Sequence, residues 1–227
     1  MALVKFSALI SEMRNKLNGS VFAKNRGGNY LRNKVTPVNP QSAFQTNVRG
    51  IFASISSAWR GLTQPQRDAW IAAAVDFPYT DVFGDTRTLS GNALHQKLNQ
   101  NLVLMGEPVI TTPPLPVAVP LADAVSATAA SGGGAVTLTI TDTTIPADVQ
   151  LQVWATGGLS QGKQFVKNQL RMLGYFPVTT GVATLTTEYA ARFGNLTAGQ
   201  KVTFRCVYVS DVTGQQGQAT QVSAIVS

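Results

Sequence analysis

The sequence is poor in the side chains that serve catalysis and covalent cross-linking. It has one cysteine and one histidine in 227 residues, so no internal disulfide can form. A Ser–His–Asp or Cys–His site would have to use His95. His95 lies beside Leu94 in a predicted helix without metal-ligand spacing around it, and we expect it at the surface or at a boundary. Cys206 falls in a strand pattern, which favours a core position over a nucleophile.

Long apolar runs and acidic clusters are also missing. No apolar run approaches about 18 residues, so we expect no membrane span. The opening MALVKFSALISEMRNKL lacks a clear small-residue cleavage site, so we expect no signal peptide. Asp76, Asp81 and Asp85 do not match the spacing of an EF-hand loop, and no acid lies in an apolar setting that would raise its pKa. We therefore predict no metal, no cofactor and no enzymatic activity.

Charge is scarce overall and unevenly placed. Charged residues make up 13% of the chain and hydrophobic residues 44%, which favours a folded protein whose uncharged polar surface is partly covered by neighbours. Residues 1–100 carry twelve Lys/Arg against five Asp/Glu, whereas residues 101–227 carry six of each. No acidic residue occurs between Glu12 and Asp68. This distribution predicts that the first part of the chain contacts acidic partners.

The basic part begins with a predicted β-hairpin. Two short runs with β-branched and aromatic residues, within residues 20–34, flank the turn Arg26-Gly27-Gly28. Aromatic and basic residues interleave here, a pattern that can contact phosphates or the acidic groups of a neighbouring subunit. The predicted partner-binding residues are Lys24, Arg26, Tyr30, Arg32, Lys34 and Arg49.

Two segments with helical apolar spacing follow, and we predict that they form the nucleus of the first domain. The first begins with Asn39 as N-cap and Pro40 in its first turn, and it ends at Gly61. The second begins at Thr63, with Gln66 completing a capping-box pattern, and includes Trp70. The first helix has an apolar stripe composed of Phe44, Val48, Ile51, Phe52, Ile55 and Trp59.

A third helix and a proline-rich segment precede a change of periodicity. The helix Gly91–Met105 is capped by Ser90 and ended by Gly106. Glu107–Pro120 contains five prolines and predicts a semi-rigid spacer. From Ala135 the apolar period becomes two, and turns separate the predicted strands Val136–Ile140, Val149–Thr156, Val182–Thr186, Lys201–Ser210 and Ala219–Val226.

These patterns predict an α+β protein with two domains. Residues 1–106 form a small, mostly helical domain with a β-hairpin, residues 107–120 a linker, and residues 121–227 an antiparallel β-sandwich. Between its strands, residues 160–173 are predicted to form a loop with a helical turn. The segment GNLTAGQKVTFRCVYVSDVTGQQGQATQV resembles the closing pattern of immunoglobulin-like and fibronectin type III modules. The C-terminal part lacks a Cys–Trp–Cys arrangement, which excludes an antibody-like disulfide domain.

The chain also resembles a group of poorly characterised proteins of tailed bacteriophages and prophages. The resemblance rests on NGSVFAKNRGGNYLRNKVTPVNPQ, AWRGLTQPQRDAW and FGDTRTLSGNALHQKLNQNL, and spans roughly residues 1–120. It implies a virion structural component. We expect a head accessory or decoration protein that binds capsid or neighbouring subunits in a homo-oligomer or symmetric array.

Two alternatives remain open. One is a virion protein that contacts DNA without sequence preference through the hairpin. The other is a glycan-binding adhesin, which would require an exposed Trp154 in the sandwich. A core tryptophan packed between the sheets is the simpler expectation for Trp154.

Overall fold

A computed structural model describes the chain except for residues 1, 5, 7–9, 11, 26–27, 81–84, 123–124, 142–144, 146 and 178–180. The described residues form α-helices and antiparallel β-strands, in agreement with the predicted mixed fold. By its internal contacts the chain divides into two compact units, residues 1–46 and residues 47–227. This boundary lies inside the first helix, not in the predicted linker.

The first unit contains a four-stranded antiparallel sheet. Its strands are β1 (Ala2–Leu3), β2 (Asn15–Leu17), β3 (Ser20–Asn25) and β4 (Gly28–Asn33), in the order β1-β4-β3-β2. Strands β3 and β4 form the predicted hairpin, with Phe22 opposite Leu31 and Val21 opposite Arg32.

The helices follow. They are α1 (Ala43–Gly61), α2 (Gln64–Ala73), which continues into a 3-10 turn at Ala74–Asp76, and α3 (Gly91–Met105). A two-residue ladder of β5 (Tyr79–Thr80) and β6 (Thr86–Arg87) lies between α2 and α3. Helix α1 begins after Ser42, not after the predicted N-cap Asn39, because Gln41 has a left-handed φ of 45° that a helix does not allow.

The starts and ends of α2 and α3 obey their local sequence signals. The backbone N–H of Thr63 donates to Oε1 of Gln66 at 2.9 Å, which is one half of the predicted capping box. Oγ of Ser90 accepts from the backbone N–H of Ala93 at 3.2 Å, and Gly106 ends α3 with φ 91°. The helices pack around a buried cluster of Leu62, Trp70, Ala74, Leu94 and Leu98.

The proline-rich segment is held along its length and is not a free spacer. The side-chain amide of Asn99, fully buried on α3, bonds to both backbone groups of Ile110: its Oδ1 accepts from N–H at 2.7 Å and its Nδ2 donates to C=O at 3.3 Å. The side-chain amide of Gln215 bonds to two residues further along the segment. Its Oε1 accepts from the N–H of Val117 at 2.8 Å, and its Nε2 donates to the C=O of Leu115 at 2.7 Å. These bonds satisfy extended backbone that has no strand partner.

Two antiparallel sheets form the C-terminal part. The first, in the order β11-β8-β7, comprises β7 (Val125–Ala129), β8 (Val136–Ile140) and β11 (Gly181–Thr184). The second, in the order β10-β9-β12-β13, comprises β9 (Val149–Ala155), β10 (Arg171–Pro177), β12 (Lys201–Ser210) and β13 (Gln216–Ile225). Side chains from both sheets share one buried core, among them Leu138, Val153 and Phe204, so the sheets form a sandwich.

A short helix closes one end of the sandwich. Helix α4 (Thr186–Phe193) connects β11 to β12 and buries Tyr189 in the common core. The Tyr189 hydroxyl donates to the C=O of Thr156 at 2.7 Å, and burial raises the pKa of this phenol to about 12. The predicted loop at residues 160–173 contains the expected helical turn, at Lys167–Gln169, but its end belongs to β10.

Helix α3 contacts the sandwich through a polar network. Nδ2 of Asn101 donates to the C=O of Gly214 at 2.7 Å, and its Oδ1 accepts from the Tyr175 hydroxyl at 3.2 Å and from Gln216 at 3.3 Å. The network places the helices and the sandwich in one compact unit. The predicted domains at residues 1–106 and 121–227 therefore do not coincide with the observed units, and as independently folding domains they stay a prediction.

Candidate partner-binding surface

One face of the N-terminal sheet collects basic and aromatic side chains. In the register of the sheet, Lys16 of β2 lies opposite Val21 of β3, which lies opposite Arg32 of β4. Directly opposed residues of an antiparallel sheet share a face, and so do residues two apart along a strand. Lys16, Arg32 and Tyr30 therefore lie on the same face, with the Cα atoms of Lys16 and Arg32 about 10 Å apart across two strand spacings. We call these three residues the basic sheet face.

Lys24 lies on the opposite face, beside the acid of this region. Its position alternates with Val21 along β3, and its Nζ lies 3.7 Å from Oε1 of Glu12. The same carboxylate oxygen accepts from Nη2 of Arg14 at 2.8 Å and from Nε at 3.0 Å. The bond from Arg14, and more weakly the charge of Lys24, lower the pKa of Glu12. Glu12 thus offsets charge on the Lys24 side and not on the basic sheet face.

The structure separates the six predicted partner-binding residues. Tyr30 and Arg32 share a face, whereas Lys24 does not. Lys34 follows β4, and its backbone N–H donates to the C=O of Gly19 at 2.8 Å, which extends the ladder beyond the strand. Arg26 lies outside the described residues, and Arg49 is an exposed residue of α1 in the second unit.

The sequence prediction missed Lys16. The run Asn15–Leu17 has only three residues, which is too short for alternation to indicate a strand. The available signal was its position just before a turn that precedes a β-run, which is typical of a β-meander.

Helix α1 differs from its predicted role as a nucleus of the core. Only Ile55 of its apolar stripe is fully buried, while Phe44, Val48 and Phe52 are 48%, 36% and 54% exposed. All residues from 43 to 50 are exposed, so the first turns contribute no buried side chain to the core. The second half of the helix does meet the prediction, since Ile55 is buried and Trp59 packs against the buried helical cluster. Amphipathic spacing alone does not show how much of a stripe is covered.

His95 is buried, which contradicts its predicted place at the surface. It is 0% exposed, and its ring centroid lies 5.3 Å from that of Trp59 and 5.1 Å from that of Trp70. In the part of the chain that the structure describes, neither ring nitrogen has a hydrogen-bond partner, and burial lowers the pKa of the imidazole. An enclosed neutral imidazole between two indoles cannot reach a substrate.

Cys206 is a core residue, as predicted. It is 0% exposed within the sandwich core, and burial raises the pKa of its thiol to about 12. The thiolate needed for nucleophilic attack or metal binding is therefore strongly disfavoured.

Trp154 fits neither expectation for the sandwich. Its neighbours Val153 and Ala155 face the common core, so Trp154 lies on the outer face of the second sheet, opposite Arg205 and Met172. The indole is partly buried there, and its enclosed N–H has no hydrogen-bond partner among the described residues. Trp154 thus lacks the accessible N–H with which a tryptophan can bond to a sugar hydroxyl.

The described residues contain neither a metal-binding cluster nor a helix suited to crossing a membrane. Within the described ranges, no three His, Cys, Asp or Glu side chains come together to hold a metal ion. Asp81 of the acidic loop lies outside those ranges. None of the helices in the described part of the chain has the length and apolar character that a membrane crossing requires.

Comparison with known proteins adds one likeness. No protein-family model and no curated protein matches the sequence. Among solved structures, the chain is similar to the crystal structure of a Fn3-like protein from Clostridium thermocellum, with 15% identity and a TM-score of 0.29 over 45% of this chain and 88% of that chain. The assignment of the C-terminal part to sandwiches of the immunoglobulin and fibronectin type III class does not rest on this likeness. It rests on the seven strands of the described residues, which are divided between two sheets with a shared core.

Proposed function

We propose that this protein is a non-enzymatic structural component of a bacteriophage virion, a head accessory or decoration protein that binds capsid subunits through its basic N-terminal part. The observation that carries the proposal is the basic sheet face. Lys16, Tyr30 and Arg32 stand together on it, within a stretch of chain that contains no acid from residue 13 to residue 67.

This face suits a protein surface that presents carboxylates. Arginine and tyrosine are enriched at the centres of protein interfaces, where Arg bonds carboxylates in pairs and Tyr adds apolar area at low entropic cost. Lys16 adds a charge that steers an acidic partner during encounter.

The absence of catalysis is part of the proposal. The only histidine and the only cysteine of the chain are both enclosed in hydrophobic cores, His95 in the helical cluster and Cys206 in the sandwich. The two side chains that most often act as base and nucleophile are thus committed to packing.

The test is incorporation into particles. Purified particles made with the wild-type chain should contain it in many copies, counted by quantitative mass spectrometry. The double variant Lys16→Ala/Arg32→Ala should be incorporated at least tenfold less, because it loses both charges of the face. Lys24→Ala is the matched control, since it removes one charge from the opposite face and should leave incorporation near the wild-type level. Absence of the wild-type chain from particles, or an equal loss with Lys24→Ala, would overturn the proposal.

A second candidate is contact with nucleic acid through the same face. Tyr30 beside Arg32 provides an aromatic surface flanked by positive charge, which is the combination that binds nucleic-acid strands without sequence preference. Binding of the purified chain to duplex DNA should then weaken steeply between low and high salt, and Lys16→Ala/Arg32→Ala should reduce the salt slope by about two charges. If the chain binds no DNA at low salt, the nucleic-acid proposal is refuted and a protein partner remains for the basic sheet face.

A further inference from the structure

The basic residues of the C-terminal part are gathered in one interval of the sequence. All six Lys/Arg of residues 101–227 lie between residues 163 and 205, and Glu188 is the only acid between residues 149 and 210. The neutral sum of this half of the chain therefore conceals a basic interval. Its cations are Lys163, Lys167, Arg171, Arg192, Lys201 and Arg205.

The strands place basic residues at one end of the sandwich and acids at the other. Asp148 precedes β9 and Asp211 follows β12, and the backbone N–H of Asp211 donates to the C=O of Asp148 at 3.2 Å. Arg171 and Lys201 are the first residues of β10 and β12, which begin where β9 ends. We call this end the basic end. Strand β9 is about 20 Å long, against a Debye length of about 8 Å at physiological ionic strength, so the two acids do not neutralise the basic end.

A loop at the basic end presents an aromatic side chain between two lysines. This loop, residues 160–170, connects β9 to β10, and we call it the Phe165 loop. Phe165 is 76% exposed, whereas the neighbouring Val166 is 4% exposed and anchors the loop. Lys163 and Lys167 lie two residues before and two residues after Phe165. The loop thus combines an exposed apolar ring with flanking positive charge.

Hydrogen bonds hold the Phe165 loop in place at both ends. Near its start, Nε2 of Gln161 donates to the C=O of Gly199 at 2.9 Å. At its end, Nη1 of Arg171 donates to the C=O groups of Asn168 and Leu170, each at 3.0 Å. Because the loop is fixed by these bonds and by a buried valine, the fold itself directs the phenylalanine to the outside.

We propose that the Phe165 loop binds the surface of a lipid bilayer that contains anionic lipids. Phe165 inserts its ring among the headgroups, and Lys163 and Lys167 place their ammonium groups beside lipid phosphates. Attraction to an anionic membrane surface acts through lysines of this kind, and an apolar side chain adds the part of the affinity that salt does not screen. The proposal concerns the sandwich and is independent of the proposed function, which concerns the N-terminal sheet.

The size of the exposed ring favours a bilayer over a protein partner. A phenylalanine encloses about 150–250 Å² when it is fully buried, far below the roughly 800 Å² that each partner contributes to a standard protein interface. A bilayer needs no matched surface, because lipid headgroups rearrange around an inserted ring. Each lysine near an anionic surface strengthens binding about fivefold, so the pair should contribute about 25-fold.

Flotation of the full chain with lipid vesicles tests the proposal. The wild type should bind vesicles that contain phosphatidylcholine and phosphatidylglycerol, and not vesicles of phosphatidylcholine alone. Lys163→Gln/Lys167→Gln should weaken the binding at least tenfold, because both lysines that flank Phe165 are lost. Lys16→Gln/Lys34→Gln removes the same charge from the N-terminal sheet and should change the binding less than about threefold.

Two variants test the role of the ring. Phe165→Ser should weaken binding to the anionic vesicles at least threefold, since it removes the inserted side chain. Val212→Ser is the matched control, because Val212 is 60% exposed beside Asp211 at the other end of the sandwich and should not contact the bilayer. Phe165→Trp should retain binding, and brominated acyl chains should quench its added fluorescence, which reports insertion directly.

Three results would overturn the proposal: a wild type that does not bind the anionic vesicles, an equal loss in a variant and its control, or an indole at position 165 that brominated lipid does not quench. A wild type that binds a single-stranded oligonucleotide through Phe165 but binds no vesicles would also overturn it and would assign the loop to nucleic acid. Urea unfolding of each variant at the wild-type midpoint confirms that the compared chains are equally folded.

Discussion

Replacement of His95 by Phe is expected to stabilise the protein, because no described residue is a hydrogen-bond partner for either nitrogen of the buried imidazole. The rings of Trp59 and Trp70 lie 5.3 and 5.1 Å from it, and a phenyl ring can keep both contacts. A buried polar group without a partner costs about 1–3 kcal/mol, and the slightly larger phenyl ring offsets part of the gain. The free energy of unfolding should rise by about 1 kcal/mol near pH 8.

The stabilisation should grow as the pH falls. Burial lowers the pKa of His95 below its ordinary 6.5, so the unfolded chain binds a proton that the folded chain excludes. The protein therefore keeps its full stability above pH 6.5, where His95 is neutral in both states. It loses stability as the pH falls from 6.5 towards the pKa of His95 in the folded protein. For one group the loss is at most about 1.4 kcal/mol one pH unit below 6.5. His95→Phe should lack this loss.

Urea denaturation followed by tryptophan fluorescence, at about pH 8, 6.5 and 5.5, measures both effects. His95 is the chain's only histidine, and no other side chain ordinarily titrates in this interval. Gln100→Phe, at an exposed position of the same helix, controls for the added phenyl ring. A wild type equally stable at pH 8 and 5.5, or a His95→Phe variant less stable than the wild type throughout, would refute the reasoning.

Three further predictions concern packing. Asn99→Ala removes both hydrogen bonds from α3 to the proline-rich segment and should lower the free energy of unfolding, measured in urea, by about 1–3 kcal/mol. A loss under about 0.5 kcal/mol would show that these two bonds do not hold the segment. Gly214 has a left-handed φ of 71°, and a Cβ at this position would collide with the C=O of Leu98. Gly214→Ala should therefore lower the free energy of unfolding by more than about 2 kcal/mol. Gly162 has no described atom within 4 Å of an added Cβ, so Gly162→Ala should change the free energy of unfolding by less than about 0.5 kcal/mol. Similar losses in both variants would contradict the close contact between Gly214 and Leu98. Cys206 should resist a thiol reagent for hours in the native protein and react at once in urea, whereas fast native labelling would show that β12 opens.

Local signals in the sequence located several elements accurately. Helix α3 runs from Gly91 to Met105 as predicted, because an N-cap serine and a left-handed glycine act over one turn each. Strand β12 also matches at both ends, since its alternation of Val202, Phe204 and Cys206 continues without a break.

Elements without a strong local pattern were missed. Strand β7 consists of small residues, VSATA, whose alternation carries little hydrophobic contrast. Helix α4 spans only eight residues, and its sequence TTEYAARF was not recognised as helical. Both are fixed by tertiary packing, with β7 paired to β8 and Tyr189 of α4 inserted into the core.

The candidate site was predictable in composition but not in arrangement. The excess of basic residues in the first part of the chain is visible from the sequence. The face on which each residue lies depends on strand register, which sets Tyr30 and Arg32 apart from Lys24 and adds Lys16. The burial of His95 depends on two tryptophans from other helices, and no single-helix pattern reports them.

Cross-linking mass spectrometry of intact particles, with a lysine-reactive reagent, tests the central claim most directly. The proposed function predicts that Lys16 and Lys34, at the N-terminal sheet, are linked to another virion protein. Cross-links to other proteins only from Lys163, Lys167 or Lys201 would show that the sandwich makes the contact. Such a result would contradict binding through the basic N-terminal part.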